Sequence, residues 1–248
     1  GPTASGKTKI AIHLANQTNG EIISADSRQV YRGMDIGTGK DLDEYVIEGK
    51  QIPYHLIDNR DAGSTYLLPD FQKDFRNAFE DIIKRGKTPI LCGGTGLYLE
   101  AVLENHQYTA IPEDQIFRNS SLDKSHKELL LEFHQLNKPI DFSPDTSTRK
   151  RTIRAIEICH FFNENERFQF EKPLVFKPII FGLDISRELR RKKISKRLHE
   201  RLDNGMIKEV QDLLDSGIVP ERLIYYGLEY KFITEYLIGK LSLYEMTK

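Results

Sequence analysis

Residues 1–8, Gly-Pro-Thr-Ala-Ser-Gly-Lys-Thr, satisfy every fixed position of the pattern G-x-x-x-x-G-K-[ST]. In that pattern glycines let backbone N–H groups converge on phosphate oxygens, the lysine supplies a mobile positive charge, and the terminal hydroxyl can ligate Mg2+. Gly1, Pro2, Thr3, Ala4, Ser5 and Gly6 therefore read as a phosphate cradle completed by Lys7, with Thr8 as the candidate metal ligand. The loop calls for a phosphate-bearing ligand without choosing among ATP-binding kinases, other nucleoside triphosphatases and diphosphate-using transferases, which all share it. A second group follows the apolar Ile22-Ile23: Asp26, Ser27, Arg28 and Gln29 offer a carboxylate, a hydroxyl, a guanidinium and an amide. Past a buried strand of a doubly wound sheet, this is the ligand edge. There the carboxylate can be a general base or a Mg2+ ligand, or simply a helix cap. The stretch runs on, polar and glycine-rich, to Lys40, longer than a simple connection requires.

These residues need elements to hold them. Ile10, Ala11, Leu14 and Ala15 recur at helical spacing and predict a helix over 8–19 closed by Gly20, and 21–24 reads as a short buried strand. Phe71, Phe75, Ala78, Phe79, Ile82 and Ile83 predict an amphipathic helix over 69–85 that Gly86 ends. A strand over 89–92 then runs through Gly93-Gly94-Thr95-Gly96 into a helix over 97–103. The alternation argues for an α/β fold of the P-loop type: a parallel sheet with flanking helices and ligands at the carboxyl ends of its strands. Between 105 and 162 no strand is convincing, and helices over 127–136 and 148–162 indicate a helical insertion. The run FKPIIFGLDI at 176–185 regains strand character and is expected to return the chain to the sheet. Helices over 186–204, over 207–215 and beyond Glu229 complete a division into a core (1–104), an insertion (105–162) and a return to the core (163–248).

Composition limits the partners. Across 248 residues, 36 Lys+Arg stand against 37 Asp+Glu, which excludes a uniformly basic nucleic-acid binder, so any polyanion site is a local patch. Two patches stand out. Arg149-Lys150-Arg151-Thr152-Ile153-Arg154 is one, and Arg190, Lys193, Arg197 and Arg201 form a helical stripe beside Ile194, Leu198 and Leu202; either could also be a solvated helix face. His55 reads as structural and Cys92 as a buried strand residue. Two distant cysteines make neither a zinc cluster nor a disulfide framework, and no apolar run nears the roughly 20 residues of a membrane helix. A cytoplasmic protein away from membranes is expected. A strand normally precedes a phosphate loop, so the chain is expected to lack its natural N-terminus, and the helical pattern running into Lys248 gives the same expectation at the other end.

The ordered set GPTASGKT, ISADSRQVYRGMDIGTGK (23–40), PYHLID (53–58), CGGTGLYLEAVL (92–103), RKRTIRAIE (149–157) and SRELRRKKISKRL (186–198) resembles the tRNA dimethylallyltransferases, or tRNA isopentenyltransferases, over nearly the whole chain. The resemblance implies transfer of the dimethylallyl group of dimethylallyl diphosphate to N6 of the adenine just 3′ of the anticodon, by a monomer whose helical insertion grips the anticodon stem-loop. It implies a diphosphate held by Gly1–Thr8 and Arg197, Mg2+ on Thr8, and Asp26 as the base. Ser27, Arg28 and Gln29 would touch the flipped nucleotide and its neighbours, and Thr95 would line the tunnel where the substrates meet. Arg118, Lys150, Arg151, Thr152, Ile153 and Arg154 would lie along the tRNA. Gly39 and Asp41 depart from the family's usual alanine and proline, and Tyr54 from a frequent histidine. The rival readings are an adenylate isopentenyltransferase, which prenylates free nucleotide and needs no RNA-gripping arm, a small-molecule P-loop kinase, and a non-catalytic RNA-binding module.

Overall fold

The computed structural model describes residues 1–247. Two left-handed residues, Ala4 (φ 61°) and Gly6 (φ 85°), turn the loop so that helix α1 (Lys7–Thr18) begins at the lysine. The helix ends at Asn19, itself left-handed (φ 52°), whose N–H donates to Ala15 O. The expected cap, Gly20, is instead the first residue of strand β1 (Gly20–Ala25). Asparagine tolerates the left-handed region, whereas a Cβ at Gly20 would lie 2.7 Å from the Thr88 carbonyl oxygen, so the two residues divide the work.

A series of two-residue strands follows: β2 (Tyr31–Arg32), β3 (Val46–Ile47), β4 (Lys50–Gln51), β5 (Tyr54–His55) and β6 (Arg60–Asp61). Helix α2 (Leu68–Lys84), strand β7 (Thr88–Gly93) and helix α3 (Gly96–Leu103) come next. The sheet order is β5-β1-β7, all parallel, with β1 matched to β7 from Gly20↔Thr88 to Ala25↔Gly93. Every residue of β1 is buried, as befits a central parallel strand. Ala11, Ile12 and Ala15 of α1 pack with Ile22, Tyr45, Ile52 and Ile57 into one cluster. Phe71 of α2 stacks on Tyr98 of α3 with ring centroids 4.0 Å apart. Pro69 in the first turn of α2, the Asp70 carboxylate on the Leu67 N–H, and Gly86 (φ 67°) beyond its last turn fix this helix where the sequence predicts it.

Residues 105–175 form a compact unit of their own. Its helices α4 (Gln115–Ser120), α5 (His126–Gln135) and α6 (Arg149–Glu164) bury Phe117, Leu129, Phe133, Ile153, Ile156 and Cys159. The unit runs past the expected limit at 162, because Phe168 and Phe170 return onto Phe161, Phe162 and Tyr108 in a web of edge-on and tilted rings.

The chain then departs from expectation. Residues 176–185 form no strand: no ladder bond reaches them, and Ile179, Ile180 and Phe181 are exposed. An apolar run becomes a strand only beside a free strand edge. β7 keeps an unpaired outer edge in the order β5-β1-β7, but the segment forms no pairing with it and instead passes the phosphate loop, close enough that a Cβ on Gly1 would lie 2.7 Å from the Leu183 oxygen. Helices α7 (Arg187–Asp203), α8 (Met206–Asp215), α9 (Pro220–Tyr226), α10 (Leu228–Leu237) and α11 (Leu243–Thr247) follow. The α9 helix, which starts on Pro220 ahead of the expected Glu229, contributes Leu223 and Tyr226 to a core shared with Val210, Tyr230 and Ile233. No helix among the described residues is long and apolar enough to cross a membrane.

At the amino end of β1, buried Glu21 accepts from both terminal nitrogens of Arg85 and pairs with His55 Nε2 at 2.7 Å. Those Arg85 bonds, aided by His55 and opposed by burial, depress the Glu21 carboxyl from 4.5 to about 2. The folded state thus binds this proton more weakly than the unfolded chain, so the pair stabilises fully above pH 4.5 and loses that contribution as pH falls toward 2. Glu21→Gln should flatten the decline of the thermal midpoint across this window, measured by circular dichroism. A decline as steep as the wild type's would show that other carboxylates carry it.

Candidate active site

The carboxyl ends of β1 and β7 are drawn together at one point. A Cβ on Gly93 would run into the Ala25 carbonyl, so only glycine lets the strands meet there. Beyond that contact the Thr95 N–H donates to Ala25 O at 3.1 Å, and Thr95 Oγ1 accepts from the Ser27 N–H at 3.0 Å. Asp26 lies between them in sequence. Its Oδ1 accepts from the Arg28 N–H at 2.9 Å and the Gln29 N–H at 3.4 Å, the pattern of an Asx turn. The simple capping role is therefore real, but it uses one oxygen; Oδ2 has no hydrogen bond among the described residues. A carboxylate held this way has a fixed rotamer and a second oxygen free to take a proton.

Lys7 folds back over its own loop and donates from Nζ to Pro2 O at 2.8 Å. Burial lowers the pKa of its ammonium, Cys92 and Asp26 oppose that shift, and Arg197 on α7 reinforces it. Lys7, Asp26, Cys92 and Arg197 thus share one electrostatic neighbourhood, in which burial pushes the Cys92 thiol up. Among the described residues, buried Ser5 has no partner for its Oγ, and the half-buried Thr8 hydroxyl makes no hydrogen bond. Buried hydroxyls are normally paired. An unpaired one inside a loop of this pattern fits a phosphate acceptor.

The loop over 33–40 is held in part by Gln29 and Arg201, which the sequence suggests for other roles, and by Lys40. Gln29 is bonded at both ends, Oε1 accepting from Ser24 Oγ at 3.1 Å and Nε2 donating to Gly39 O at 3.0 Å, so its side chain shapes the loop. Lys40, 2% exposed, donates to Tyr31 O (2.7 Å) and Asp35 Oδ1 (2.6 Å) and is ion-paired with Asp58. It thereby ties two of the sequence motifs together at a place where Leu56 and Asp58 take positive φ (62° and 55°), a strain the ion pair offsets. Arg201 does not belong to a solvated basic stripe. It is 8% exposed, donates to Gly37 O at 3.2 Å, and fills the space a Cβ on Gly39 would need, which accounts for glycine at a position where alanine is expected. Arg28 lies over the Tyr226 ring, 5.8 Å from its centroid.

In the helical unit much of the basic patch is spoken for. Arg118 grips buried Glu157 through Nε (2.6 Å) and Nη2 (3.0 Å) and also pairs with Glu113. Arg154 donates to Tyr108 O (2.9 Å), Pro112 O (3.1 Å) and Ile111 O, and Arg149 caps the carbonyls of Ser121, Leu122 and Lys124. The side chains of Thr152 and Ile153, expected along the tRNA, are buried in the unit's core instead. They follow from helix periodicity: positions between the exposed arginines point inward. Lys150 and Arg151 stay exposed, and among the described residues the Arg151 side chain pairs only with exposed Asp145 and Ser147. Spacing could flag the patch. Only the folded partners separate the outward charges from the inward ones.

Known proteins share this arrangement over almost the full length. The family model described as IPP transferase matches residues 29–248. The tRNA dimethylallyltransferase 2 of Phocaeicola vulgatus is 54% identical over 246 residues, spanning 99% of this chain and 80% of the relative. Among solved structures, the full-length tRNA isopentenylpyrophosphate transferase of Bacillus halodurans superposes with a TM-score of 0.66 at 32% identity, covering 100% of this chain and 78% of its own. The tRNA delta(2)-isopentenylpyrophosphate transferase of Staphylococcus epidermidis gives 0.64 at 28% identity, covering 99% and 81%. A family model across most of the chain and a relative identical at more than half of 246 aligned positions lead to one conclusion: this chain belongs to the IPP transferase family.

Proposed function

We propose that this chain moves the dimethylallyl group of dimethylallyl diphosphate onto N6 of the adenine 3′-adjacent to the anticodon of tRNA, in the cytoplasm and as a monomer. One observation carries the reading: a carboxylate locked by its own turn, with one oxygen free, shares a sheet edge with a phosphate loop whose buried Ser5 hydroxyl lacks a partner. The relatives' names supply the acceptor class.

In this reading the C1–O bond of the donor breaks and its electron pair leaves with the diphosphate, while the N6 lone pair forms the new N–C1 bond. Negative charge grows on the leaving group. Lys7, the N–H groups opening α1 and Arg197 act where it grows. The N6 proton passes to Asp26 Oδ2. The adenine must leave its stack to reach the cleft, with Thr95 and Ser27, joined by their 3.0 Å bond, forming the wall beside it. Arg28 lies toward the flanking nucleotides, and Gln29 supports the loop from within. The Thr8 hydroxyl suits Mg2+, which binds proteins through few ligands and takes the rest from phosphate and water. When bound, the metal would add positive charge at the diphosphate. Within the 149–154 patch, Lys150 and Arg151 are the exposed cations that can meet RNA phosphates. An adenylate isopentenyltransferase would show label in AMP, a kinase would transfer it from ATP, and an RNA-binding module in nothing. Incubation with radiolabelled dimethylallyl diphosphate, radiolabelled ATP, AMP and unmodified tRNA should place label from the diphosphate donor in tRNA alone.

Asp26→Asn keeps the Oδ1 acceptor of the turn but cannot take the proton, so single-turnover transfer should fall about 10²-fold or more while tRNA affinity stays within a few-fold. Rescue by excess Mg2+ would instead make Asp26 a metal ligand, and retained activity would leave it a cap. Arg197→Lys should impair turnover, since a point charge replaces a two-pronged donor; full activity would return Arg197 to the solvated face of α7. Lys150→Ala with Arg151→Ala should flatten the dependence of tRNA binding on log salt without lowering thermal stability. Arg154→Ala should do the reverse, because its guanidinium holds three backbone carbonyls. An unchanged salt slope in the double variant would remove this face of α6 from the RNA site.

A further inference from the structure

Glu209 on α8 reaches across to a loop more than 170 residues earlier. Its Oε2 accepts from the N–H groups of Asp35 (2.8 Å) and Ile36 (2.7 Å), and its Oε1 from the Gly37 N–H (3.1 Å) and the Tyr230 hydroxyl (2.6 Å). Three consecutive backbone N–H groups converging on one point form a nest, a concavity that draws an anion. The protein fills this one with its own carboxylate, and four donors saturate the acceptor capacity of that group. The fit is close: a Cβ on Gly37 would lie 2.7 Å from the Tyr230 ring.

The clamp does not stop at the loop. Arg201 Nη1 donates to Gly37 O and its guanidinium lies against Gly39, so opposite charges from α7 and α8 hold the N–H and C=O sides of the same turn. Lys40 anchors the far end through Asp35, Asp58 and Tyr31 O. Within this frame Gly39 O accepts from Gln29 Nε2, and the Gln29 N–H is one of the two donors on Asp26 Oδ1.

We infer that Glu209 is a positioning residue for the transfer reaction: by gathering the N–H groups of residues 35–37 it fixes Gly39 O, thereby Gln29, and thereby the turn that orients Asp26. The inference rests on the reading of Asp26 as the base. Glu209 touches no substrate in this account. Its effect is on the rate of the chemical step, with the phosphate loop untouched.

The test uses the whole chain with dimethylallyl diphosphate and unmodified tRNA. Glu209→Gln puts an amide N–H₂ where an acceptor stood, so at least one loop N–H faces a donor. It should lower kcat about tenfold while KM for dimethylallyl diphosphate stays within twofold, and speed hydrogen exchange at the amides of residues 35–37. In a Gln29→Ala background the same substitution should cost less than a further twofold, because the effect runs through Gln29. Glu209→Asp, which keeps the charge, should recover part of the rate. Tyr230→Phe, which removes one donor and leaves the carboxylate on the loop, is the milder variant should Glu209→Gln fail to fold, and should shift kcat and exchange in the same direction. A full-rate Glu209→Gln with fast-exchanging amides would overturn the inference and leave the transfer reading standing, as would losses that simply multiply with Gln29→Ala. A wild-type chain that labels no tRNA would sink the transfer reading instead, and unprotected amides at 35–37 in that chain would sink the clamp as well.

Discussion

Gly93 carries the steric condition on which the site rests. Neighbouring parallel strands keep a nearly constant spacing along their length, yet at their carboxyl ends β1 and β7 close until the Ala25 carbonyl occupies the space of a side chain at residue 93. The approach lets one carbonyl accept from the Thr95 N–H, and Thr95 in turn holds the Ser27 N–H. Asp26 is thereby bracketed: a strand behind it, a turn of its own making ahead, and the Thr95 hydroxyl from the turn after β7 beside it. Any Cβ at residue 93 would push β7 outward and release this set together. Rigidity matters for a carboxylate proposed to take a proton, because misplacing it by an ångström can cost about 10²-fold in rate.

Outside that point, charge does the positioning. Burying a lysine is costly unless oxygens surround it, and Lys40 meets two carboxylates and a carbonyl. Such a group is a poor source of net stability and a good source of specificity, since a displaced loop would strand the ammonium without partners. Arg201 makes the complementary case. It is buried, its Nη2 has no partner, and desolvation lowers its pKa, with Arg197 one turn away pressing in the same direction. That cost is tolerated where the guanidinium supports the turn at Gly37–Gly39.

The parts of the fold legible in the sequence are those fixed by local chemistry. The phosphate loop, α1, α2, α3 and the two strands beside them follow from apolar spacing and from Gly86, within a residue or two of where they stand. The cap of α1 was misassigned because Asn19 and Gly20 can both serve, and the choice depends on Thr88, which sequence cannot bring near. The strand expected over 176–185 fails for the same class of reason: an apolar run records a preference, while a ladder forms only where the fold lays the segment alongside a strand. Among the residues gathered at the candidate site, Lys7 and Asp26 were legible as candidates from motifs and Thr95 from the resemblance. Glu209, Arg201 and Tyr230 were not, because a carboxylate in an amphipathic helix looks the same whether it meets water or three backbone N–H groups. Gly39 left a trace, a small residue in an unexpected place, but nothing local pointed to Arg201.

The same limit governs the charge count. Four basic residues between 149 and 154 read as an RNA patch, yet Arg149 and Arg154 are consumed by backbone carbonyls of the unit they stabilise. Two concavities of backbone N–H groups in the core illustrate the distinction a near-neutral chain must make. The one at residues 35–37 is satisfied internally by Glu209, which converts an anion-binding geometry into a rigid joint. The one that opens α1 has no acidic residue in its first turn, and Lys7, which reaches only Pro2 O, shares its neighbourhood with Arg197. A built-in carboxylate there would compete with every phosphate. The two differ in whether the chain supplies one of its own anions to them, and that choice separates a structural joint from the phosphate cradle proposed for the donor.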